Sequence, residues 1–179
     1  MFEPVIPVLA VVGGKASGKT TAVEVIVKAL SSQHLSVMTI KHVSEKGFTL
    51  DREGTDTWRH WKAGAKIVST VSDCERAVLF KEEGHMDLNE YNSMAENIDA
   101  IIFEGFSSLL LEEEHVGKVF CLRERNERES YLQGVKGKVV AMCSFKLIGD
   151  GVLRLGVDDE ILGERAIQFV SAFERNRRF

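Results

Sequence analysis

Short apolar runs alternate along the chain with stretches in which apolar residues recur at helical spacing. Residues 5–12 are an almost unbroken apolar run with Pro7 near its start, as expected of a strand buried on both faces. Val23, Ile26, Val27 and Leu30 then repeat at helical spacing, which predicts an amphipathic helix to about Leu30. Residues 36–41 are a second strand, and polar and glycine residues make a loop of 44–54. Residues 55–63 read as a helix carrying Trp58 and Trp61, with Gly64 at its end. Strands at 66–71 and 76–81, joined by a polar turn at 72–75, predict a hairpin.

A helix over 89–97 leads into another buried-strand pattern at 98–103. The pattern leaves 109–114 unassigned, predicts strands at 118–122 and 138–143, and leaves the charged stretch 123–131 between them exposed. Residues 160–175 form an amphipathic helix through Ile161, Leu162, Ala166, Phe169, Val170 and Phe173. Strands alternating with helices imply an α/β fold, a mostly parallel sheet flanked by helices with an additional hairpin. The 179 residues suffice for one core and show no repeat or long linker, so the expectation is a single nucleotide-binding domain over 1–179.

One segment adds chemistry to this pattern. Gly13, Gly14, Lys15, Ala16, Ser17, Gly18, Lys19 and Thr20 spell G-x-x-x-x-G-K-[ST], the Walker A signature, directly after an apolar strand and directly before an amphipathic helix. Small residues let the backbone curl until several N–H groups face phosphate oxygens, and the following helix adds the positive end of its dipole. Lys19 supplies a charge for the β and γ phosphates, and Thr20 a hydroxyl for Mg²⁺. Thr21 closes the candidate nucleotide-binding stretch, and the Lys15 side chain is expected to face solvent. This makes the chain a P-loop NTPase fold that binds a nucleoside triphosphate with magnesium.

The strand at 98–103 runs into Glu104 and Gly105, the shape of a Walker B segment, and strand ends on that side of an α/β sheet collect ligands. Glu104 is thus a candidate metal ligand and, with Lys19, a candidate catalytic residue. Asp99 belongs at the far end of the strand. Asp51, in the loop after the second strand, is a candidate metal ligand of the switch type, with a plain loop aspartate as the alternative. His42 reads as structural, and His34, His60, His85 and His115 lack metal-ligand spacing.

The net charge of −4 argues against a general nucleic-acid binder, which needs a basic surface, and Arg175, Arg177 and Arg178 read as a solvated helix end. Cys74, Cys121 and Cys143 form no C-x-x-C pair and read as buried thiols in a reducing cytosol. No apolar run reaches the roughly 20 residues of a membrane span, and the N-terminal run reads as a strand, not a signal peptide. The expectation is a cytoplasmic protein with no nucleic-acid or membrane partner.

At this point the chain resembles the molybdopterin-guanine dinucleotide biosynthesis protein B family, MobB. The resemblance rests on the phosphate loop, on Ile40-Lys41-His42, on Asp51-x-x-Gly54-x-Asp56-Thr57, on Lys62-Ala63-Gly64-Ala65 and on Glu104-Gly105-Phe106. It runs from about Ile6 to Arg123 and more weakly beyond. It implies a GTP-binding protein with weak GTPase activity in molybdenum-cofactor maturation, a homodimer that assists the molybdopterin guanylyltransferase. Two positions depart from the family: Ser107 stands where lysine follows E-G-F, and Ser144 where a strand often ends in an aspartate suited to the guanine edge. A serine cannot accept two guanine N–H bonds as a carboxylate does, so ATP stands beside GTP as a candidate nucleotide. A P-loop small-molecule kinase, using Arg123, Arg125 and Arg128 as a lid, and a non-hydrolysing nucleotide-binding module are the alternatives.

Overall fold

The computed structural model describes residues 2–80, 87–146 and 149–177, with side chains to Phe173. The strand end expected at Lys81, His85 and the arginine side chains at 175, 177 and 178 lie outside the described residues. The chain divides into two compact units, Met1–His42 with Leu88–Phe179, and Val43–Asp87.

The larger unit is built on a six-stranded sheet in which every neighbouring pair runs parallel. In chain order its strands are β1 (Val8–Gly13), β2 (Val37–Lys41), β5 (Ala100–Glu104), β6 (Val116–Cys121), β7 (Val139–Ser144) and β8 (Val152–Arg154). Their spatial order is β2-β5-β1-β6-β7-β8. Val8 to Val12 of β1 are all buried, which is why this stretch reads as a continuous apolar run. Helix α1 (Lys19–Ser32) presents Ala22, Val23, Ile26 and Leu30 to one face of the sheet. Helix α6 (Asp159–Arg177) lies on the same face through Leu162, Ala166, Phe169 and Val170.

Two glycines set these contacts. A Cβ at Gly163 would sit 2.7 Å from that of Ala29, so glycine lets α6 close on α1. A Cβ at Gly117 would meet the Phe169 ring at 2.7 Å and Leu9 at 2.9 Å, so the bare β6 backbone is the floor on which Phe169 rests.

The opposite face carries Phe103, Phe120 and the aliphatic part of Lys118. Tyr91 of α3 (Glu90–Met94) meets Phe103 edge-on at 5.5 Å, and Tyr131 of α5 (Glu127–Leu132) stacks on Phe120 at 5.1 Å. The short α4 (Ser107–Leu110) buries Leu110 beneath the same side. Lys118 is fully buried in β6, where its ammonium donates to the carbonyls of Glu113 and of Val116 (2.8 Å). Burial pushes its pKa down to about 8, against the opposing pull of the Glu113 carboxylate.

The smaller unit consists of α2 (Asp56–Lys62) and the antiparallel hairpin of β3 (Ile67–Val71) and β4 (Arg76–Phe80). Val68 faces inward; Ile67, Val71, Val78 and Phe80 are exposed on the other face.

Several expectations need correction. The Walker B strand runs to Glu104 itself, because the pairing of β1 continues through Val11 and Glu104. Helix α3 is shorter than 89–97. The stretch 123–131 is not wholly exposed: it contains most of α5, and Tyr131 is half-buried on Phe120. The unassigned 109–114 follows from the end of α4, and β8 was not foreseen, being only three residues long. Cys121 and Cys143 are buried, and burial drives both thiol pKa values up, Cys143 to about 12. Cys74, in contrast, is exposed, because it sits in the β3–β4 turn.

Candidate functional site

The strand order places β1 between β5 and β6. The connection from β1 leads to β2 beyond β5, while the chain from β6 continues to β7 on the other side. Loops leaving the carboxyl ends of β1 and its neighbours therefore diverge, which opens a crevice at that edge. The segment 13–20 lies in that crevice.

Its backbone bends through left-handed conformations at Ala16 (φ 59°) and Gly18 (φ 96°) before α1 begins at Lys19. Gly13 is required by packing, since a Cβ there would lie 2.4 Å from both the Cys121 carbonyl and Ser17 Oγ. Ser17 is 2% exposed, and its Oγ has no hydrogen-bond partner among the described residues. The Lys19 ammonium folds back to donate to the Gly14 carbonyl at 2.7 Å. Lys15 is exposed, and Thr21 is half-buried on α1.

On the β5 side of this loop stands Glu104, buried but for its tip. Its Oε1 accepts from Thr20 Oγ1 at 2.9 Å and from Lys41 Nζ at 2.8 Å, and Lys41 Nζ lies 3.3 Å from Thr20 Oγ1. The register of β2 against β5 pairs Lys41 with Glu104, so the sheet itself brings the cation to the carboxylate. A hydroxyl and a carboxylate oxygen side by side are hard donors of the kind Mg²⁺ takes, and here they already hold an ammonium. Gly105 (φ 92°) turns the chain sharply after Glu104, and a Cβ there would press on His42 Cβ at 3.2 Å. His42 in turn packs against Phe106 with ring centroids 5.1 Å apart. The Ile40-Lys41-His42 and Glu104-Gly105-Phe106 signatures are thus two halves of one contact across β2 and β5.

On the β6 and β7 side the loop meets Arg123. A Cβ on Gly14 would come within 3.0 Å of the Arg123 guanidinium carbon. That guanidinium is held by Glu127, with Nε and Nη2 donating to Oε1 at 2.9 and 2.7 Å, while Glu127 Oε2 accepts from the Arg123 amide at 2.7 Å. Burial raises the Glu127 pKa, but these hydrogen bonds outweigh it and hold the carboxyl below its ordinary value. Arg128 donates to the Asp150 carbonyl at 3.1 Å. Of the three arginines considered as a lid, Arg123 and Arg128 are therefore anchored. Charge spacing alone gave no sign of Glu127, whose role depends on α5 folding back onto β6.

Ser144, the last residue of β7, is fully buried, and its Oγ accepts from the Lys146 amide at 3.2 Å. Asp51 belongs to the smaller unit. Its Oδ1 accepts from Thr55 Oγ1 at 3.0 Å and Thr57 Oγ1 at 2.7 Å, and Thr55 caps α2 by accepting from the Trp58 amide. The Asp51-x-x-Gly54-x-Asp56-Thr57 signature is accounted for as a helix start, with Gly54 at φ 89°. Lys62-Ala63-Gly64-Ala65 is the matching helix end: Gly64 takes φ 112°, and the Ala65 amide returns to the His60 carbonyl at 3.2 Å. Lys62 Nζ lies 4.7 Å from the Trp61 ring centroid and 5.3 Å from that of Trp58. Among the described residues no group of three or more His, Cys, Asp or Glu could hold a metal ion by itself. No helix among them is long and apolar enough to cross a membrane.

A parallel sheet flanked by helices, with a Walker A loop at its switch point and a carboxylate at the end of the adjacent strand, defines a P-loop NTPase fold. Within that class, residues 8–145 match the family model described as Molybdopterin guanine dinucleotide synthesis protein B, and the chain belongs to this MobB family. A Methanocaldococcus jannaschii protein assigned to molybdopterin-guanine dinucleotide biosynthesis is 38% identical over 121 residues. That match covers 66% of this chain but only 48%, about half, of the relative's length. The molybdopterin-guanine dinucleotide biosynthesis adapter protein of Haemophilus influenzae is 29% identical over 141 residues, covering 78% of this chain and 75% of its own. Among solved structures, Bacillus subtilis MobB superposes with a TM-score of 0.69 at 24% identity, covering 92% of this chain and 98% of that one. A MobB homologue from Bacillus stearothermophilus gives 0.65 at 22% identity, with the same coverage. At these identities the structures speak for the fold.

Proposed function

We propose that this protein is a GTP-binding adapter of molybdopterin guanine dinucleotide synthesis, with weak magnesium-dependent GTPase activity. It works in the cytoplasm as a homodimer beside the guanylyltransferase that joins GMP to molybdopterin. ATP is the alternative nucleotide. The observation that carries the reading is the cluster of Thr20, Glu104 and Lys41 beside the Walker A lysine, which gathers phosphate- and metal-binding chemistry at one edge of the sheet.

In this reading the amides of Gly14, Lys15, Ala16, Ser17 and Gly18 cradle the phosphates. Lys19 leaves the Gly14 carbonyl for the β and γ phosphates, and Thr20 and Glu104 hold the metal side. Bound Mg²⁺ supplies charge neutralisation of the β and γ phosphates. Glu104 would orient the attacking water with its carboxylate. Among the described residues no glutamine or arginine finger is evident near the candidate switch loop around Asp51, so hydrolysis runs at the unassisted rate of switch GTPases, roughly 10⁻⁴ to 10⁻² per second. Asp51 remains a proposed metal-side residue through its loop.

The test is calorimetric titration of wild type and Lys19→Ala with GTP and ATP in magnesium. The expected result is binding by wild type and none by a folded Lys19→Ala. Unchanged affinity in that variant overturns the phosphate-loop assignment.

A further inference from the structure

Lys41 is the last residue of β2, and the sheet fixes where its side chain starts. The parallel register sets it beside Glu104, and the next amide, that of His42, donates to the Glu104 carbonyl at 3.0 Å. The backbone is held in this way while the side chain remains more than half exposed. Its Nζ completes a triangle with two hard oxygens. It lies 2.8 Å from Glu104 Oε1 and 3.3 Å from Thr20 Oγ1, which are themselves 2.9 Å apart. These are the two oxygens on the metal side of the phosphate loop, so the protein brings a positive charge of its own to that spot.

Charge decides what this does to an incoming phosphate chain. Glu104 alone is an anion beside a loop that collects anions, and it repels phosphate. Paired with Lys41 it is neutralised, and the phosphates meet Lys19 and the loop amides without that opposing charge. An ammonium also has three donors. Two of them face Glu104 and Thr20, which leaves one for a phosphate oxygen arriving beside Thr20. We propose that Lys41 is a built-in stand-in for the divalent metal. It lets the phosphate loop hold a nucleoside di- or triphosphate without magnesium, and it gives way when magnesium takes Glu104. This rests on the nucleotide-binding reading above. Binding then runs on either cation, while hydrolysis keeps its need for the divalent one, which neutralises more of the γ-phosphate charge.

Calorimetry with GTP and GDP, in EDTA and in excess magnesium, tests this on wild type, Lys41→Met and Lys41→Arg. Wild type is expected to bind both nucleotides in EDTA, more weakly than in magnesium. Lys41→Met should lose about 5-fold or more in EDTA, the upper end for a partly exposed ion pair, and stay within about 2-fold of wild type in magnesium. Lys41→Arg should keep the EDTA affinity. Binding in magnesium also shows that each variant is folded. Wild type that binds in magnesium but not in EDTA overturns the stand-in while the phosphate loop stands. Lys41→Met with wild-type affinity in EDTA does the same. An equal loss in both conditions also overturns it, because Lys41 then serves alongside the metal and not in its place. If wild type binds neither nucleotide in either condition, both readings fall.

Discussion

Lys41 Nζ lies 2.8 Å from Glu104 Oε1, an oxygen that also accepts from Thr20. A divalent metal at Glu104 would share the carboxylate with the Lys41 ammonium, and repulsion between the two cations sets them in competition. The lysine side chain is 55% exposed and has room to swing away. Lys41→Met is therefore expected to lower the magnesium concentration that half-saturates nucleotide binding by about 2- to 5-fold, the worth of a partly exposed ion pair. A magnesium titration at fixed nucleotide measures it, and an unchanged midpoint shows that Lys41 does not compete.

Glu104→Gln preserves the hydrogen bond from Thr20 but removes the charge. Nucleotide affinity should change little, while hydrolysis should fall by at least about 100-fold, the lower end of the range for losing a positioned acid–base group. Single-turnover hydrolysis separates the two effects. A variant as fast as wild type removes Glu104 from the catalytic machinery.

Lys118 yields a prediction about pH. Its folded pKa is lowered to about 8 from an ordinary 10.5, chiefly by burial. Below about pH 8 both folded and unfolded chains carry the proton, and the buried charge weighs fully against the fold. Between about 8 and 10.5 the unfolded chain holds the proton that the folded one has released, so this residue makes stability rise with pH. Urea unfolding across that window should show the rise in wild type and lose it in Lys118→Met. A parallel slope in both proteins places the titration elsewhere.

Much of the site was legible in the sequence because its parts are local. The phosphate loop needs only consecutive residues, and the apolar run at 5–12 announced a buried strand, although the strand begins only at Val8 and Val5 is exposed. Lys41 and Glu104 were each marked by a motif, but only the register of β2 on β5 showed that they touch. Asp51 stood in a loop whose contacts left no trace in the pattern: the hydroxyls of Thr55 and Thr57 at the start of α2 both donate to its Oδ1. Arg123 and Glu127 stood in a stretch whose charges outweighed its single aromatic anchor, Tyr131, so the fold-back onto Phe120 left little trace in the pattern. Three-residue β8 offers too few positions for any period to register.

Gly117 permits a check on packing. A methyl group there meets the Phe169 ring and Leu9 at 2.7 to 2.9 Å, with the sheet backbone behind it. Gly117→Ala should destabilise the fold by about 1–3 kcal/mol, the usual cost of overpacking a core. Pairing it with Phe169→Leu should recover part of that loss. Additive losses in the double variant show that the clash is not with Phe169.

The hairpin carries the dimer prediction. In the β3–β4 register Ile67 faces Phe80, Ser69 faces Val78 and Val71 faces Arg76, and these positions share one face. Ile67, Val71, Val78 and Phe80 are all exposed there, an apolar surface on a sheet that has two strands among the described residues. Such a sheet is marginal alone, and open edges invite pairing with another strand. A second copy of the hairpin satisfies both needs, with an isologous contact that closes at two subunits. Wild type is therefore expected to scatter light as a dimer at micromolar concentration, with or without nucleotide. Val71→Asp together with Phe80→Asp should shift it to a monomer that still binds tripolyphosphate, because neither residue belongs to the unit that carries the phosphate loop. A wild-type monomer at high micromolar concentration rules the dimer out. A double variant that remains dimeric moves the interface away from the hairpin.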